Sequence, residues 1–201
     1  RREQFVAELR CHDTTQCRAK REVDAAIDLF VYYAGWADKF QQVFSSVNPV
    51  SSEHFNFSVC EPTGVVSIVA PQDQGLLGLA SSLAPVIAGG NTCVALASES
   101  RPLCAITFAE VLHSSDVPSG VVNILTGVRN ELVGHFASHM DVNAIVYYGD
   151  DQNLISTVQQ EAARNVKRVI IRPASGAGRD PNPYFILDTQ EIKTTWHPVG
   201  C

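Results

Sequence analysis

Residues 64–96, GVVSIVAPQDQGLLGLASSLAPVIAGGNTCVAL, decide the fold of this chain. An apolar run at 64–70 is followed by a segment with helical spacing of apolar residues, 76–88, and then by a second apolar run at 92–96. Both runs are short and almost continuously apolar, which is typical of strands that are buried on both faces. The stretch therefore predicts a strand, a helix and a second strand that is parallel to the first.

The same alternation continues to residue 171. Further apolar runs occur at 120–125, 144–148 and 166–171, and segments with helical spacing lie between the runs, at 103–113, 131–138 and 154–164. This order predicts an α/β fold in which helices cover both faces of a parallel sheet. Upstream, the apolar spacing predicts one long amphipathic helix over 18–44, and the alternation over 54–59 predicts an extended strand.

Length and composition limit the class of protein and the kinds of partner that we expect for this chain. The chain has 201 residues, 45% of them hydrophobic and 18% charged, with a formal net charge of -6, which is typical of a globular domain with one sizeable core. Without a concentrated basic face, nucleic acid is not an expected partner. The sequence shows neither an apolar run of about 20 residues nor a signal peptide, so a cytoplasmic chain without a membrane partner is expected. Six cysteines without paired CxxC spacing predict free thiols and no metal site.

Several short segments, in this order and spacing, carry a family resemblance: EPTGVV, APVIAGGNT, VPSGVVN and TG, at residues 61–66, 84–92, 117–123 and 126–127. They resemble the aldehyde dehydrogenase family, and most closely its family 16 type member with a duplicated, degenerate, non-catalytic dehydrogenase unit. The resemblance implies a Rossmann-like five-stranded parallel sheet that binds a nicotinamide dinucleotide without a GxGxxG loop. It divides the chain into an N-terminal helical segment, an extended arm and a degenerate dinucleotide-binding domain, at 1–46, 47–62 and 63–201.

Two positions that the resemblance assigns to catalysis hold unsuitable side chains. Asp73 stands where the family has an asparagine whose amide donates to a developing oxyanion, and a carboxylate has the same charge as that oxyanion. Arg172 stands where the family has its glutamate base, and a guanidinium does not accept a proton. We expect Asp73 to be a solvated or helix-capping carboxylate. We expect Arg172 to pair with an anion, either Asp73, Asp150 or a group of a neighbouring protomer.

The positions that the resemblance assigns to cofactor binding are degenerate as well. Leu96 replaces a lysine that binds the ribose, whereas Glu99 remains available either for the ribose hydroxyls or for the dipole of the helix that begins near Pro102. Asp150 and Asp151 stand where the family presents donors to the pyrophosphate, and they would repel a phosphate. An aspartate at this place also favours a helix start.

These departures predict a catalytically inactive domain, a pseudoenzyme that serves as a structural, oligomerisation or protein-interaction module and needs no cofactor. The alternatives are an NAD(P)-dependent aldehyde dehydrogenase whose missing groups come from another domain or protomer, and a dinucleotide-binding sensor without catalysis. NAD or NADP would bind only if the degenerate site retains affinity. The resemblance places the nucleophilic cysteine in a second domain that is absent here. It also implies that the returning strands of the arm lie beyond Cys201. Protein partners or self-association are expected.

Overall fold

The computed structural model describes residues 1–175, 178 and 180–200. Its helices are α1 Arg2–Arg10, α2 Gln16–Ala37, α3 Phe40–Phe44, α4 Leu76–Ala88, α5 Leu103–His113, α6 Arg129–Ser138, α7 Gln152–Ala162 and α8 Tyr184–Leu187. Its strands are β1 Ser46–Asn48, β2 His54–Pro62, β3 Val65–Val69, β4 Thr92–Leu96, β5 Val122–Leu125, β6 Ala144–Tyr148, β7 Arg168–Arg172 and β8 Gln190–Pro198. None of the described helices has both the length and the apolar character needed to cross a membrane.

Strands β3 to β7 form one parallel sheet in the order β5-β4-β3-β6-β7. Strands β4 and β5 extend the sheet on one side of β3, and β6 and β7 extend it on the other side. The predicted α/β fold with a five-stranded parallel sheet is therefore confirmed. In open sheets of this kind ligands bind at the carboxyl ends of the strands, where the strand order reverses, which here lies between β3 and β6.

Apolar layers on both faces of the sheet form the core. Ile68 packs in the layer that contains Leu79 of α4, whereas the neighbouring Val69 packs with Val133 of α6 and Val158 of α7. Successive residues of a strand point to opposite faces, so a strand that is apolar at every position requires cover on both sides. Helix α2 lies over the outer side of α4 and adds a further layer to one face.

The long helix expected over 18–44 is two helices, α2 and α3. Helix α2 begins at Gln16 because the side chain of Thr15 accepts a hydrogen bond from the Arg18 amide. After Ala37 the chain turns, and Phe40 enters the core with 6% of its surface exposed. Apolar residues continue at helical spacing through this turn, so the sequence pattern predicted one helix where the structure has two.

The arm is a second, antiparallel sheet in the order β1-β2-β8. Strand β8 pairs with the whole of β2, from Pro198 opposite His54 to Gln190 opposite Pro62. The expectation that the returning strands of the arm lie beyond Cys201 is therefore wrong, because β8 is a returning strand. Cys201 itself lies outside the described residues. Only residues 173–189 connect β7 of the parallel sheet with this arm strand.

Candidate functional site

The five predicted site positions lie along the carboxyl edge of the parallel sheet. Asp73 follows β3, Leu96 ends β4 and is followed shortly by Glu99, Asp150 follows β6, and Arg172 ends β7. Parallel strands end at a common edge, which explains why segments far apart in sequence meet there. Their side chains nevertheless make separate contacts.

Asp73 is an exposed carboxylate in the turn between β3 and α4. It lines an open depression of about 490 Å³ together with His12 and Arg101. Asp73 is therefore not the anion that pairs with Arg172, whose ion pair is with Asp188.

The two predicted ribose-binding positions have structural contacts. Leu96 is completely buried in the apolar layer that also contains Val133 of α6. Glu99 is exposed, and its Oε2 accepts a hydrogen bond of 2.8 Å from the amide of Arg129, the first residue of α6. The amide of Glu99 in turn donates to Gln72 Oε1 at 2.8 Å. Glu99 therefore interacts with the N-terminus and dipole of α6, and not with those of the helix that begins near Pro102.

The acidic pair after β6 is also bonded to the chain itself. Asp151 is the N-cap of α7, and its Oδ1 accepts hydrogen bonds from the amides of Asn153 and Leu154 at 2.9 and 3.3 Å. Asp150 is exposed, and its carboxylate lies 3.3 Å from the amide of Ala174, which donates to it. The helix cap expected at this turn is therefore provided by Asp151 rather than by Asp150.

Arg129, which the sequence did not single out, lies across the same turn. Its Nη2 donates to the carbonyl oxygen of Tyr148, and its guanidinium carbon lies 4.6 Å from the centre of the Tyr147 ring. Burial raises the pKa of the Tyr147 hydroxyl, while Arg129 lowers it and both Asp151 and Asp150 raise it. The arginine thus partly offsets the negative charge of the two aspartates at a place where a dinucleotide phosphate would need cations.

Arg172 is held by an ion pair and by an aromatic ring. Its side chain is 12% exposed, its Nη2 lies 2.5 Å from Oδ2 of Asp188, and its guanidinium carbon lies 3.5 Å from the centre of the Phe185 ring. Neither Asp73 nor Asp150 is the partner, so both intramolecular pairings expected from sequence are wrong. Asp188 was not found from sequence because nothing in the spacing of residues 180–188 shows that Asp188 lies against the end of β7.

Arg168 and Arg172 together attach the segment before β8 to the sheet. Arg168 lies four residues before Arg172 on β7, so the two side chains share one face of the strand. The guanidinium of Arg168 donates to the carbonyl oxygens of Asp188 and Gln190 and pairs with Glu191 at 2.9 Å. Arg172 therefore belongs to a structural clamp that holds the segment before β8 against β7.

Glu22 of α2 is a further residue that sequence reasoning missed. It is buried, and its Oε1 accepts hydrogen bonds from the amides of Leu76 and Leu77, at 3.1 and 3.4 Å. These amides begin α4, whose own N-cap, Gly75, has no side chain to bond them. A glutamate on the apolar face of α2 was the available signal, since a buried carboxylate requires donors.

Carboxylates of the chain occupy part of the anion-binding capacity at the carboxyl edge of the sheet. Three helix N-termini near this edge already bind carboxylates of the chain: α4 binds Glu22, α6 binds Glu99 and α7 binds Asp151. Helix N-termini are the usual phosphate-binding elements of such folds, because their free amides and dipole favour an anion. Here these amides have internal anions, and Asp150 adds further negative charge.

The buried cysteines of the parallel-sheet region, Cys93 and Cys104, lack the features of a nucleophile. Burial raises the pKa of the Cys93 and Cys104 thiols to about 12, so the reactive thiolate is scarce near neutral pH. Arg172 lines a cavity of about 410 Å³, and no cysteine in the described part of the chain lines this cavity. Residues 1–175, 178 and 180–200 also contain no group of three or more His, Cys, Asp or Glu placed to hold a metal ion.

Comparisons with known proteins agree with this architecture. Residues 1–193 match the model of the aldehyde dehydrogenase family. Hydroxyisobutyraldehyde dehydrogenase of Mycolicibacterium austroafricanum is 38% identical over 133 residues, which are 66% of this chain and 26% of that protein. Human retinal dehydrogenase 2 is 34% identical over 166 residues, which are 82% of this chain and 30% of that protein.

A solved aldehyde dehydrogenase structure is also similar to this chain. A point variant of betaine aldehyde dehydrogenase from Staphylococcus aureus, in complex with NAD+, superposes with a TM-score of 0.77 at 25% identity. The match covers 85% of this chain and 34% of that one. The chain thus spans about a third or less of the length of these relatives. With the family model matching nearly all of its length, the chain belongs to the aldehyde dehydrogenase family.

Proposed function

We propose that this chain is a catalytically inactive aldehyde-dehydrogenase-like domain that serves as a structural and self-association module. The observation that carries this proposal is the occupation of the α4, α6 and α7 N-termini by carboxylates of the chain itself. A dinucleotide phosphate would have to displace an internal anion that is already hydrogen-bonded there.

The chemistry of the remaining positions supports the same proposal. The guanidinium of Arg172 has donors but no acceptor and is unsuited to act as a base, and Asp73 would oppose an oxyanion. The connection between β7 and β8 comprises only residues 173–189, which leaves no room for a second domain at this point of the chain.

The alternative is an NAD(P)-dependent aldehyde dehydrogenase whose missing groups come from another domain or protomer. The names of the relatives and the NAD+ complex of the betaine aldehyde dehydrogenase favour it. Incubation of the chain with an aldehyde and NAD+ or NADP+ tests catalysis directly, through the absorbance of the reduced dinucleotide. Turnover above the uncatalysed rate would support the alternative and exclude an inactive domain.

Dinucleotide binding provides a separate test. A ligand at 100 times its Kd adds about 2.7 kcal/mol to the free energy of unfolding, which raises the Tm of a chain of this size by roughly 5–10 °C. We expect neither NAD+ nor NADP+ to produce such a rise at millimolar concentration, because the helix N-termini are occupied and the turn at Asp150 is acidic. Differential scanning fluorimetry checks this, and a concentration-dependent rise would contradict the proposed loss of binding.

A matched pair of variants tests whether the negative charge of Asp150 weakens NAD+ binding. Asp150→Ser removes a carboxylate from the turn and supplies a hydroxyl donor, whereas Asp116→Ser removes another exposed carboxylate elsewhere. We expect the first variant to bind NAD+ more tightly than the second. Equal affinity in both variants would show that the charge of Asp150 is not the barrier.

Self-association is proposed through the outer edge of β8. Among residues 1–175, 178 and 180–200 this strand pairs only with β2, and eight of its nine residues are exposed. Ile192 and Trp196 lie on the same face of the strand and are 52% and 57% exposed. A long edge strand with exposed apolar side chains favours pairing with another chain.

We expect the double variant Ile192→Lys, Trp196→Lys to dissociate the self-associated chain without lowering its Tm, because both side chains are exposed and lysine at an edge opposes strand pairing. Sedimentation velocity measures the oligomeric state. The control is Val31→Lys, which charges an apolar residue of α2 that is 66% exposed. A wild-type chain that stays monomeric at high concentration would contradict this part of the proposal.

A further inference from the structure

The backbone of β8 presents its polar groups in a regular alternation. In an antiparallel pair, residues that exchange hydrogen bonds with the neighbouring strand alternate with residues whose amide and carbonyl point the other way. At one end of β8 the amide of Thr63 donates to the carbonyl oxygen of Thr189 at 3.2 Å. At the other end the amide of Val199 donates to the carbonyl oxygen of Glu53 at 3.1 Å. The odd-numbered residues of β8 therefore bond to β2, and the even-numbered residues direct their backbone groups to the outer edge.

The two ends of this outer edge complement each other. Pro198, the last residue of β8, has no amide hydrogen to donate. Gln190, the first residue, has a carbonyl oxygen that already accepts a hydrogen bond from the guanidinium of Arg168. When two copies of β8 lie antiparallel with full overlap, Pro198 of one copy stands opposite the partner's Gln190. The residue without a donor then faces an acceptor that is already satisfied.

The side chains of β8 are self-complementary in the same register. Full antiparallel overlap sets Thr194, the middle residue, opposite the partner's Thr194. Ile192, which is 52% exposed, then lies opposite the partner's Trp196, which is 57% exposed. Aromatic side chains opposite β-branched ones, and opposed threonines, stabilise a sheet. Glu191 likewise lies opposite the partner's His197, whose ring N–H can donate to the carboxylate.

Neighbouring registers lose these pairings. Opposite residues of an antiparallel pair lie on one face of the sheet, so the two-fold axis of a symmetric pair passes through a residue, and the nearest alternatives are Lys193 and Thr195. Centring on Lys193 sets two lysines directly opposite each other, and like charges in this position destabilise a sheet. Centring on Thr195 sets Pro198 opposite Ile192, whose outward carbonyl then faces no donor.

We propose that a second copy of this chain binds at the outer edge of β8, antiparallel and centred on Thr194, so that the two arms form one six-stranded sheet. The inference rests on the self-association proposed above and adds the partner, the orientation and the register. A two-fold contact uses the same edge in both copies, so assembly stops at a dimer.

Disulfide cross-linking tests the register on the full chain. The background is a chain whose exposed Cys11 and Cys17, and also Cys201, are replaced by serine. Thr194→Cys should give a covalent dimer on mild oxidation, because opposed residues have Cα atoms about 5.5 Å apart, within disulfide range. The matched control Thr195→Cys should run as a monomer in non-reducing denaturing electrophoresis, since its two copies lie two residues out of register and more than about 7 Å apart.

The outcomes of cross-linking distinguish this pairing from self-association in general. Cross-linking of both variants would indicate parallel strands, and cross-linking of Thr195→Cys alone would indicate a shifted register; each result overturns the proposal. A dimer in sedimentation velocity without any cross-link at Thr194→Cys would also overturn it, while the proposed self-association would stand. A chain that stays monomeric in sedimentation velocity would overturn both.

Two charge variants test the register without a cross-link. His197→Glu sets a carboxylate opposite the partner's Glu191, whereas Thr195→Glu sets the same charge opposite the partner's Lys193. Both positions are exposed and share one face of β8. We expect His197→Glu to raise the Kd of the dimer about threefold or more, and Thr195→Glu to leave it unchanged or lower it. An equal rise in both variants would contradict the pairing.

Discussion

Replacing Glu22 by alanine is expected to lower the free energy of unfolding by about 3 kcal/mol. The variant removes a buried carboxylate that accepts from the amides of Leu76 and Leu77. Hydrogen bonds to charged groups contribute about 1.5–3 kcal/mol, and a carboxylate at a partly buried helix N-terminus adds a favourable interaction with the helix dipole. For a chain of this size the expected fall in Tm is roughly 6–12 °C.

Urea unfolding followed by circular dichroism measures the effect of the Glu22 substitution. Glu22→Gln keeps one acceptor oxygen and nearly the same volume but loses the charge, so its effect should be about half as large. Asp28→Ala removes an exposed carboxylate from the same helix and should change the free energy of unfolding by no more than about 0.5 kcal/mol. Equal effects of Glu22→Ala and Asp28→Ala would show that the α4 N-terminus does not depend on Glu22.

Replacing Arg172 by alanine is expected to lower the free energy of unfolding by about 2 kcal/mol. The variant loses the ion pair with Asp188 and the stacking on Phe185, and both groups hold the segment before the arm strand against β7. The effect is smaller than that of Glu22→Ala because the Asp188 side chain is 41% exposed and can be hydrated once its partner is gone.

Two further arginine variants sharpen this test. Arg172→Lys keeps the charge but loses the planar group that stacks on Phe185, so an intermediate effect of about 1 kcal/mol is expected. Arg164→Ala removes an arginine that is 66% exposed and pairs with Glu161, and it should change stability by less than about 0.5 kcal/mol. A stability of Arg172→Ala equal to that of the wild type would contradict the structural role of this arginine.

The free energies of unfolding of these variants test whether Arg172 has a structural role. The sequence predicted Arg172 at the end of a strand, and Arg172 is the last residue of β7. What the structure adds is its partner, Asp188, on a segment that folds back over β7. An arginine that clamps this segment has a physical reason to occupy the position without any role in proton transfer.

Much of the fold was predictable because its signals are local. The strand β6 and the helices α4 and α5 have the bounds that apolar spacing predicted, since strands and helices place buried side chains at different, regular intervals. Local signals failed where two elements share one continuous pattern, as at the turn between α2 and α3. They also failed for β8, which is mostly exposed and is recognisable as a strand only through its pairing with β2.

The sequence by itself determined the fold class and the family, and it predicted that Asp73, Leu96, Asp150 and Arg172 are unsuited to the roles that the resemblance assigns to them. Only the tertiary structure decided what those and neighbouring groups bind. Glu22 lies 54 residues before Leu76, and Glu99 lies 30 residues before Arg129. Residue spacing reports contacts within one helix or strand, whereas the capping of a helix by a distant carboxylate depends on how whole elements pack, and packing brings those atoms together only in the folded chain.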